Sequence, residues 1–378
     1  MQNKINFVYV LSGKIPTEKA HGVQVAYTCT ALSGIKDINV VLLSMRTNTL
    51  SKISVFNYYG IDINLFKHVQ IYTTSLFNPL IIFSLLQRFI FVSFCLFYVF
   101  YKYNRDTVIY TRDEITCYFF SLLGFRTFFE VHDIRKNFLF KKALKNSQKN
   151  ICVSMGLQKD ILKIYSQESV LIRNGVTDDS FGEFDISEFR RSLNIEEKRK
   201  IITYTGGISN YNWKGVDLFL EASKVLTDYT FLCVGGTIES INNFKRDYSN
   251  DNLIFISHVQ HIEVQKYQLI SHLLVLPNKQ GNILSEKYTS PLKIFEYMKT
   301  GIPIVSSDLP SIREIVGDSE VTFFKPGNLY DLVKKINFVF TNKKDITRKT
   351  ELAQQKVKDF SYRARAQKIY LLLQKNNF

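Results

Sequence analysis

A lysine, a carboxylate and a set of glycines in the second half of the chain have the types and spacing to hold a phosphate-bearing ligand. Tyr288-Thr-Ser-Pro-Leu-Lys-Ile-Phe-Glu296-Tyr-Met-Lys-Thr-Gly-Ile-Pro-Ile-Val305 reads as a loop feeding a helix that starts at Ser290-Pro291. Proline suits the first helical position because its missing N–H would be unpaired there anyway. The helix ends at Lys299-Thr300-Gly301, Pro303 lies just beyond, and Ile302 to Val305 reads as a strand. Backbone N–H groups at a helix start that follows a strand attract anions. Glu296, one turn in, is placed to hydrogen-bond a hydroxyl of the same ligand. A nucleoside diphosphate, with its phosphates and ribose, fits both demands.

Upstream, Thr205-Gly206-Gly207 runs to Trp213-Lys214-Gly215 after another strand. Glycines let N–H groups approach a phosphate, and Lys214 adds a point charge. The same residues read equally as an ordinary βα loop, because the Gly-x-Gly-x-x-Gly and P-loop patterns are both missing. In the first half, Gly13 and His21-Gly22 form the corresponding loop, with a glycine at a helix start. His132-Asp133 stands at the carboxyl end of a strand, the edge where α/β sheets bind ligands. A histidine there can hydrogen-bond a sugar, act as acid or base, or simply be structural. His258, His261 and His272 lack metal-ligand spacing, and no Asp-x-Asp occurs to clamp a metal-bound diphosphate. Ser154 and the five cysteines have no His/Asp pattern for nucleophilic catalysis. The cysteines are scattered without CxxC spacing, as expected for reduced, buried thiols of a cytoplasmic protein.

These groups need a scaffold, and the hydropathy pattern supplies one. Strands are predicted at 4–11, 39–43, 107–111, 127–131, 150–154 and 170–172, with helices between them. The second half repeats the alternation, with strands at 201–205, 230–234, 252–256, 272–276 and 302–305. Alternating strands and helices mean parallel, doubly wound sheets. At 378 residues there is room for two such domains facing a cleft, and clefts are preferred ligand sites. Arg173-Asn174-Gly175-Val176 punctuates the chain, and the polar stretch Thr177 to Lys200 reads as a linker.

The formal charge of +15 is concentrated in the first half. Residues 1–172 hold 20 Lys+Arg against 10 Asp+Glu, while the rest hold 29 against 24. Arg135 to Lys149 carries six basic residues and no acid. This is either a solvated helix face or a surface for anionic lipid or a phosphate-bearing substrate. No helix-turn-helix, zinc-finger or RNP pattern points to nucleic acid. Leu80 to Tyr101 is the most hydrophobic stretch, but Gln87 and Arg88 interrupt it. Its clean run, Phe89 to Tyr101, spans only about 20 Å as a helix, against a bilayer core of ~30 Å. It reads as a buried helix, with a helix lying in the membrane interface as the alternative. The N-terminus reads as a first strand rather than a signal peptide.

The segment Ser290-Pro-Leu-Lys-Ile-Phe-Glu-Tyr-Met298, with Gly301-Ile-Pro-Ile-Val-Ser-Ser-Asp-Leu-Pro310 and Arg313-Glu-Ile315, resembles the donor site of GT-B glycosyltransferases of family 4, the glycosyl transferases group 1. The resemblance covers nearly the whole chain. Pro16 to Gln24 resembles the family's first loop, and Phe129-Glu-Val-His-Asp133 its strand-end histidine. Asn174-Gly-Val176 resembles its crossover, and Tyr204-Thr-Gly206 with Trp213-Lys-Gly-Val-Asp217 its phosphate loop. Phe360-Ser-Tyr362 resembles the start of its last helix. It implies an α/β GT-B fold with two Rossmann-like domains, residues 1–175 on the acceptor side and 176–358 on the donor side. Residues 359–378 would be a helix crossing back to the first domain.

The resemblance also implies a retaining, metal-independent transferase without a cofactor, using a nucleotide-sugar donor and a saccharide or lipid-linked acceptor. The context would be bacterial surface polysaccharide, such as capsule, O-antigen or lipopolysaccharide, at the cytoplasmic face of the inner membrane, in peripheral contact with anionic lipid. By position, Gly22, Gly206, Lys214, Ser290, Pro291, Leu292, Lys293 and Glu296 would bind the donor. His132 and Glu296 would take catalytic roles. Two positions depart from the family. Tyr288 stands where a second glutamate is common, and Ser209 where an arginine is common. Lys293 is the expected replacement cation. A GT-B sugar-nucleotide epimerase and a non-catalytic donor-binding or scaffold subunit are the alternatives.

Overall fold

The computed structural model describes residues 4–46, 53–62, 65–73, 81–178, 182–208 and 212–374. Ser209 and Leu80 lie outside the described residues. The chain divides into two compact units, Met1–Asn174 with Tyr362–Phe378, and Gly175–Ser361.

The first unit carries a seven-stranded sheet. Its strands are β1 (Ile5–Lys14), β2 (Ile38–Arg46), β3 (Lys67–Tyr72), β4 (Val108–Thr111), β5 (Arg126–Val131), β6 (Lys149–Cys152) and β7 (Ser169–Leu171). They lie in the order β3-β2-β1-β4-β5-β6-β7 and every pairing is parallel. Its helices are α1 (Ala20–Ser33), α2 (Val55–Tyr59), α3 (Ile81–Lys102), α4 (Glu114–Leu122), α5 (Phe138–Asn146) and α6 (Met155–Tyr165). A parallel sheet is covered on both faces, so its central strands are apolar runs rather than alternating ones. Phe7 to Val10 of β1 are all fully buried. The α3 residues Phe91, Val92, Cys95 and Val99 pack into one core with Val8, Val10, Val41 and Leu43 of β1 and β2.

The second unit begins with α7 (Ile186–Ser192) and continues with β8 (Ile201–Thr205), α8 (Val216–Val225), β9 (Thr230–Val234), α9 (Ile238–Asp247) and β10 (Leu253–Ile256). It goes on through α10 (His261–Leu269), β11 (Leu273–Leu276), α11 (Leu292–Thr300), β12 (Ile304–Ser307), α12 (Pro310–Arg313), β13 (Thr322–Phe324), α13 (Leu329–Thr341) and α14 (Lys343–Val357). Six parallel strands take the order β10-β9-β8-β11-β12-β13. The order reverses between β8 and β11, and such switch points open a crevice at the carboxyl ends of the strands.

The final helix, α15 (Tyr362–Gln374), belongs to the first unit. It lies on α1, where Tyr27 and Tyr362 stack with ring centroids 5.4 Å apart. Arg126 of β5 donates from Nη2 to the Leu373 carbonyl at 2.9 Å.

Four sequence expectations change. The polar stretch Thr177 to Lys200 is not a plain linker, because α7 forms inside it. The Asp185 carboxylate caps α7 by accepting from Glu188 N at 2.9 Å, and Phe189 packs edge-on to Tyr267 at 5.0 Å. Buried Arg190 satisfies the carbonyls of Glu196, Glu197 and Arg199. Helix α11 starts one residue later than Pro291, which is its extended N-cap with φ −69° and ψ 124°. The edge strand β3 and the three-residue β13 escape the pattern because each is short or half-exposed. Lastly, α3 is longer than the clean run and only one side of it is buried. Among the described residues it alone is long and apolar enough to cross a membrane, yet 22% of its Leu85–Lys102 window lies in the core, which makes it part of the fold.

Candidate functional site

In the second unit the crevice between β8 and β11 is lined by residues from both strands' exits. Strand β8 ends at Thr205, held by the Tyr297 hydroxyl of α11, which accepts from Thr205 N at 2.9 Å. The chain then turns through Gly206 with φ +131°, a conformation glycine takes without strain. A Cβ on Gly206 would stand 2.3 Å from Cε and 2.5 Å from Nζ of Lys293, so this lysine lies directly against the bare backbone. Lys293 comes from the first turn of α11 and donates to the Tyr204 hydroxyl at 2.7 Å, with Nζ 3.9 Å from the ring centroid. Lys214 donates from Nζ to the Gly207 carbonyl at 3.2 Å.

Two lysine side chains therefore converge on Gly206-Gly207. Burial lowers the Lys293 pKa well below the lysine range, and the nearby positive charge of Lys214 lowers it further; Glu296 pulls the other way. Burial also lowers the Lys214 pKa. Desolvated, mutually repelling cations are costly without a counter-anion. The amino end of α11, with N–H groups at Leu292 and Lys293 beyond its Pro291 cap, adds the positive end of a helix dipole. Ser290 is buried just before it. Glu296, one turn into α11, lies 3.7 Å from Nε2 of His261, the first residue of α10. The arrangement can hold a diphosphate between the lysines and give a carboxylate to a hydroxyl.

Tyr288 is buried at 5% exposure inside a short π-helical turn, Leu284–Tyr288. In the same turn Glu286, the nearest alternative acid, accepts from the Gly281 backbone N–H.

In the first unit the exits of β1, β4 and β5 assemble a second polar cluster. The Glu130 carboxylate is fully buried in β5. It accepts from Gln24 Nε2 at 2.9 Å, from Arg365 Nη2 at 2.5 Å and from the Tyr110 hydroxyl. His132 Nε2 meets Glu130 Oε1 at 2.5 Å. Burial alone would raise the Glu130 pKa, but Arg365, then His132 and Arg112, outweigh it and hold the group ionised. Burial and the Arg112 charge bring His132 down to about 4, so its imidazole is neutral at pH 7. With the proton on Nε2 directed at Glu130, Nδ1 is an acceptor. His21, pushed to about 4 by burial and by Arg112, is neutral as well. Gly22 has a packing reason: a Cβ there would lie 2.1 Å from the Tyr59 hydroxyl, which donates to the Thr17 carbonyl.

Residues 185–365 match the family described as Glycosyl transferases group 1. The matched stretch is just under half of the chain and includes Gly206, Lys214, Lys293 and Glu296. No curated protein sequence matches the chain. Solved structures do. Sucrose-phosphate synthase from Thermosynechococcus elongatus superposes with a TM-score of 0.79 at 15% identity, covering 98% of this chain and 99% of that one. Anabaena HepE in complex with UDP gives 0.74 at 13%, covering 98% and 100%. WaaG, a glycosyltransferase involved in lipopolysaccharide biosynthesis, gives 0.68 at 13%, covering 97% and 99%. The fold is GT-B, as the family resemblance implied.

The structure thus gathers Gly206, Lys214, Ser290, Pro291, Leu292, Lys293 and Glu296 within the second unit, while Gly22 and His132 belong to the first. Sequence reasoning gave no site role to Tyr204, Tyr297 and His261 beside the lysines, or to Glu130, Arg112 and Arg365 around His132. One signal was present, since a glutamate inside the apolar strand Phe128-Phe129-Glu130-Val131 calls for a buried partner.

Proposed function

We propose that this chain is a retaining glycosyltransferase that moves a sugar from a nucleotide-sugar donor to a saccharide acceptor carried on a lipid, in the assembly of a bacterial surface polysaccharide. The observation that carries this reading is the convergence of Lys214 and Lys293 on Gly206-Gly207, with Glu296 one turn into α11. The match of this stretch to the glycosyl transferases group 1 supports it, as does HepE, a protein of the same fold solved with UDP. WaaG supports the surface-polysaccharide context.

In this reading the residues divide the work. The leaving nucleoside diphosphate develops negative charge as the glycosidic bond breaks. Lys214, Lys293 and the N–H groups at the start of α11 are already aimed at it, so its stabilisation needs little reorganisation. Glu296 accepts from the ribose hydroxyls, and His261 holds that carboxylate in place. His132, neutral and with Nδ1 as acceptor, takes a hydrogen bond from a sugar hydroxyl. Two ammonium groups supply the counter-charge, so the reaction proceeds without a divalent metal or other cofactor, on the cytoplasmic side where nucleotide sugars are made.

The test is a donor screen. Purified protein is incubated with UDP-, GDP- and dTDP-sugars and a lipid-linked acceptor extract; products are detected by mass spectrometry, the configuration of the new linkage and of recovered sugar nucleotide is read by NMR, and calorimetry of the free nucleotides runs alongside. A glycosylated lipid product with net retention is expected. The buried Tyr288, in place of a second carboxylate, gives the rival readings their opening. Conversion of the sugar nucleotide without acceptor would establish an epimerase instead, and failure to bind any nucleotide would leave a scaffold.

A further inference from the structure

Helix α3 presents an unusual outer side. Its inner residues, Phe91, Val92, Cys95 and Val99, are in the core. On the outer side Phe94 is 53% exposed, Phe97 74% and Tyr101 75%, at helical spacing. Soluble proteins seldom leave large aromatics this open in one patch. The surface continues beyond α3. Phe89 of α3 meets Phe119 of α4 edge-on at 6.0 Å, and Tyr118 meets Phe138 of α5 at 6.4 Å. Phe138 is itself 63% exposed, and so at 60% is Leu122 at the end of α4.

Cations border this band. Lys102 Nζ sits 5.0 Å from the Tyr101 ring centroid and Lys142 Nζ 5.4 Å from that of Phe138. Lys141 and Lys145 of α5 are exposed, within a stretch from Arg135 to Lys149 that has no acid. The acids closest in the chain to these helices are Asp113 and Glu114 at the head of α4, both buried and paired with Arg88, and Glu114 also with Arg135. Exposed acids on the flanks are Asp106 after α3 and Asp133 before α5. A soluble partner would need to match aromatics and a cationic rim together. An anionic bilayer surface offers both, with headgroup charge for the lysines and an interfacial layer that favours amphipathic rings.

We infer that the α3–α5 side of the first unit is a membrane-docking surface, with α3 lying in the plane of an anionic bilayer and Phe94, Phe97 and Tyr101 entering its interface. The helix does not cross, because its other side is bound to β1 and β2. This inference is independent of the donor site, since docking requires no nucleotide.

The experiment is flotation of the full chain with vesicles of phosphatidylcholine alone or mixed with phosphatidylglycerol. The protein is expected to float with the mixed vesicles and to bind neutral ones at least about tenfold more weakly. The variant Phe94→Ser/Phe97→Ser/Tyr101→Ser, with unchanged circular dichroism and nucleotide binding, is expected to lose at least about tenfold in lipid affinity. Lys141→Glu/Lys145→Glu should erase the preference for phosphatidylglycerol. Should the serine variant fail to fold, Phe97→Trp replaces it, with quenching of the introduced indole by brominated lipid as readout. The inference is overturned if the protein stays unbound at high phosphatidylglycerol, if the serine variant binds like wild type, or if brominated lipid leaves the Phe97→Trp fluorescence unchanged. It is equally overturned if the serine variant turns a dimer into a monomer without changing lipid binding, which makes the surface a self-association face.

Discussion

Replacing Lys293 with methionine should weaken UDP binding and change how that binding depends on pH. Methionine keeps the length and the contact with the Tyr204 ring but removes the charge. If Lys293 reaches a phosphate oxygen, the loss is one charge-assisted hydrogen bond, worth ~1.5–3 kcal/mol. At 1.4 kcal/mol per decade this is roughly a 10- to 150-fold rise in Kd. Lys214→Met should cost a similar amount, and the double variant less than the sum, because both cations act on one diphosphate.

The pH signature separates this account from a purely structural one. Burial and Lys214 depress the Lys293 pKa in the folded, empty protein. Between that lowered value and the ordinary lysine range, the unfolded chain binds more protons than the folded one. Stability of the empty protein therefore rises with pH through that window. Binding of UDP should restore the charge and take up a proton, so UDP affinity is expected to fall with pH over the same window. Titration calorimetry in buffers of differing ionisation enthalpy counts that proton. A Kd within twofold of wild type for Lys293→Met, with proton uptake unchanged, would refute the reasoning.

Glu296→Gln should raise the KM for the nucleotide sugar by about tenfold or more through weaker acceptance from the ribose, leaving thermal stability within about 0.5 kcal/mol, as differential scanning fluorimetry would show. Arg365→Met strands the Glu130 carboxylate and should destabilise the protein by ~3–5 kcal/mol in denaturant unfolding; adding Glu130→Gln should recover part of it. Gly215→Ala places a Cβ 1.8 Å from the Pro277 carbonyl oxygen at φ +66°, so soluble yield and Tm should both drop. Initial rates should be unchanged by EDTA, and a loss of activity restored by a divalent metal would overturn the two-lysine account of the leaving group.

The α11 segment was readable because punctuation and hydropathy agree there: proline before the helix, Gly301 with φ +71° after it, and a β-branched strand beyond. The sheets were readable for the same kind of reason, since strands covered on both faces must be apolar. Strand β3 was missed because Lys67, His68 and Gln70 sit at the sheet's edge, partly solvated. Helix α7 was missed because a short capped helix in polar sequence has no strong period. The site partners were missed for another reason. Tyr204 and Lys293 are 89 positions apart, and Glu130 and Arg365 are 235 apart. Local periodicity carries no information on such pairs, which form only when the strand order brings their ends together.

The interleaving of the two units sets a schedule for synthesis. The second unit is one continuous segment, Gly175–Ser361, and has all its residues when Ser361 leaves the ribosome. The first unit does not, because the cation bonded to its buried Glu130 is Arg365, 235 positions downstream. At ~5–20 residues per second the wait is roughly 12–47 s. Until then Glu130 has only its uncharged donors, His132 and the field of Arg112, so β5 closes over it less favourably, as a neutral acid or with water. The later unit to be translated is thus the earlier to be completed, and a nascent chain that ends before Arg365 carries an unfinished first half for chaperones and proteases to find.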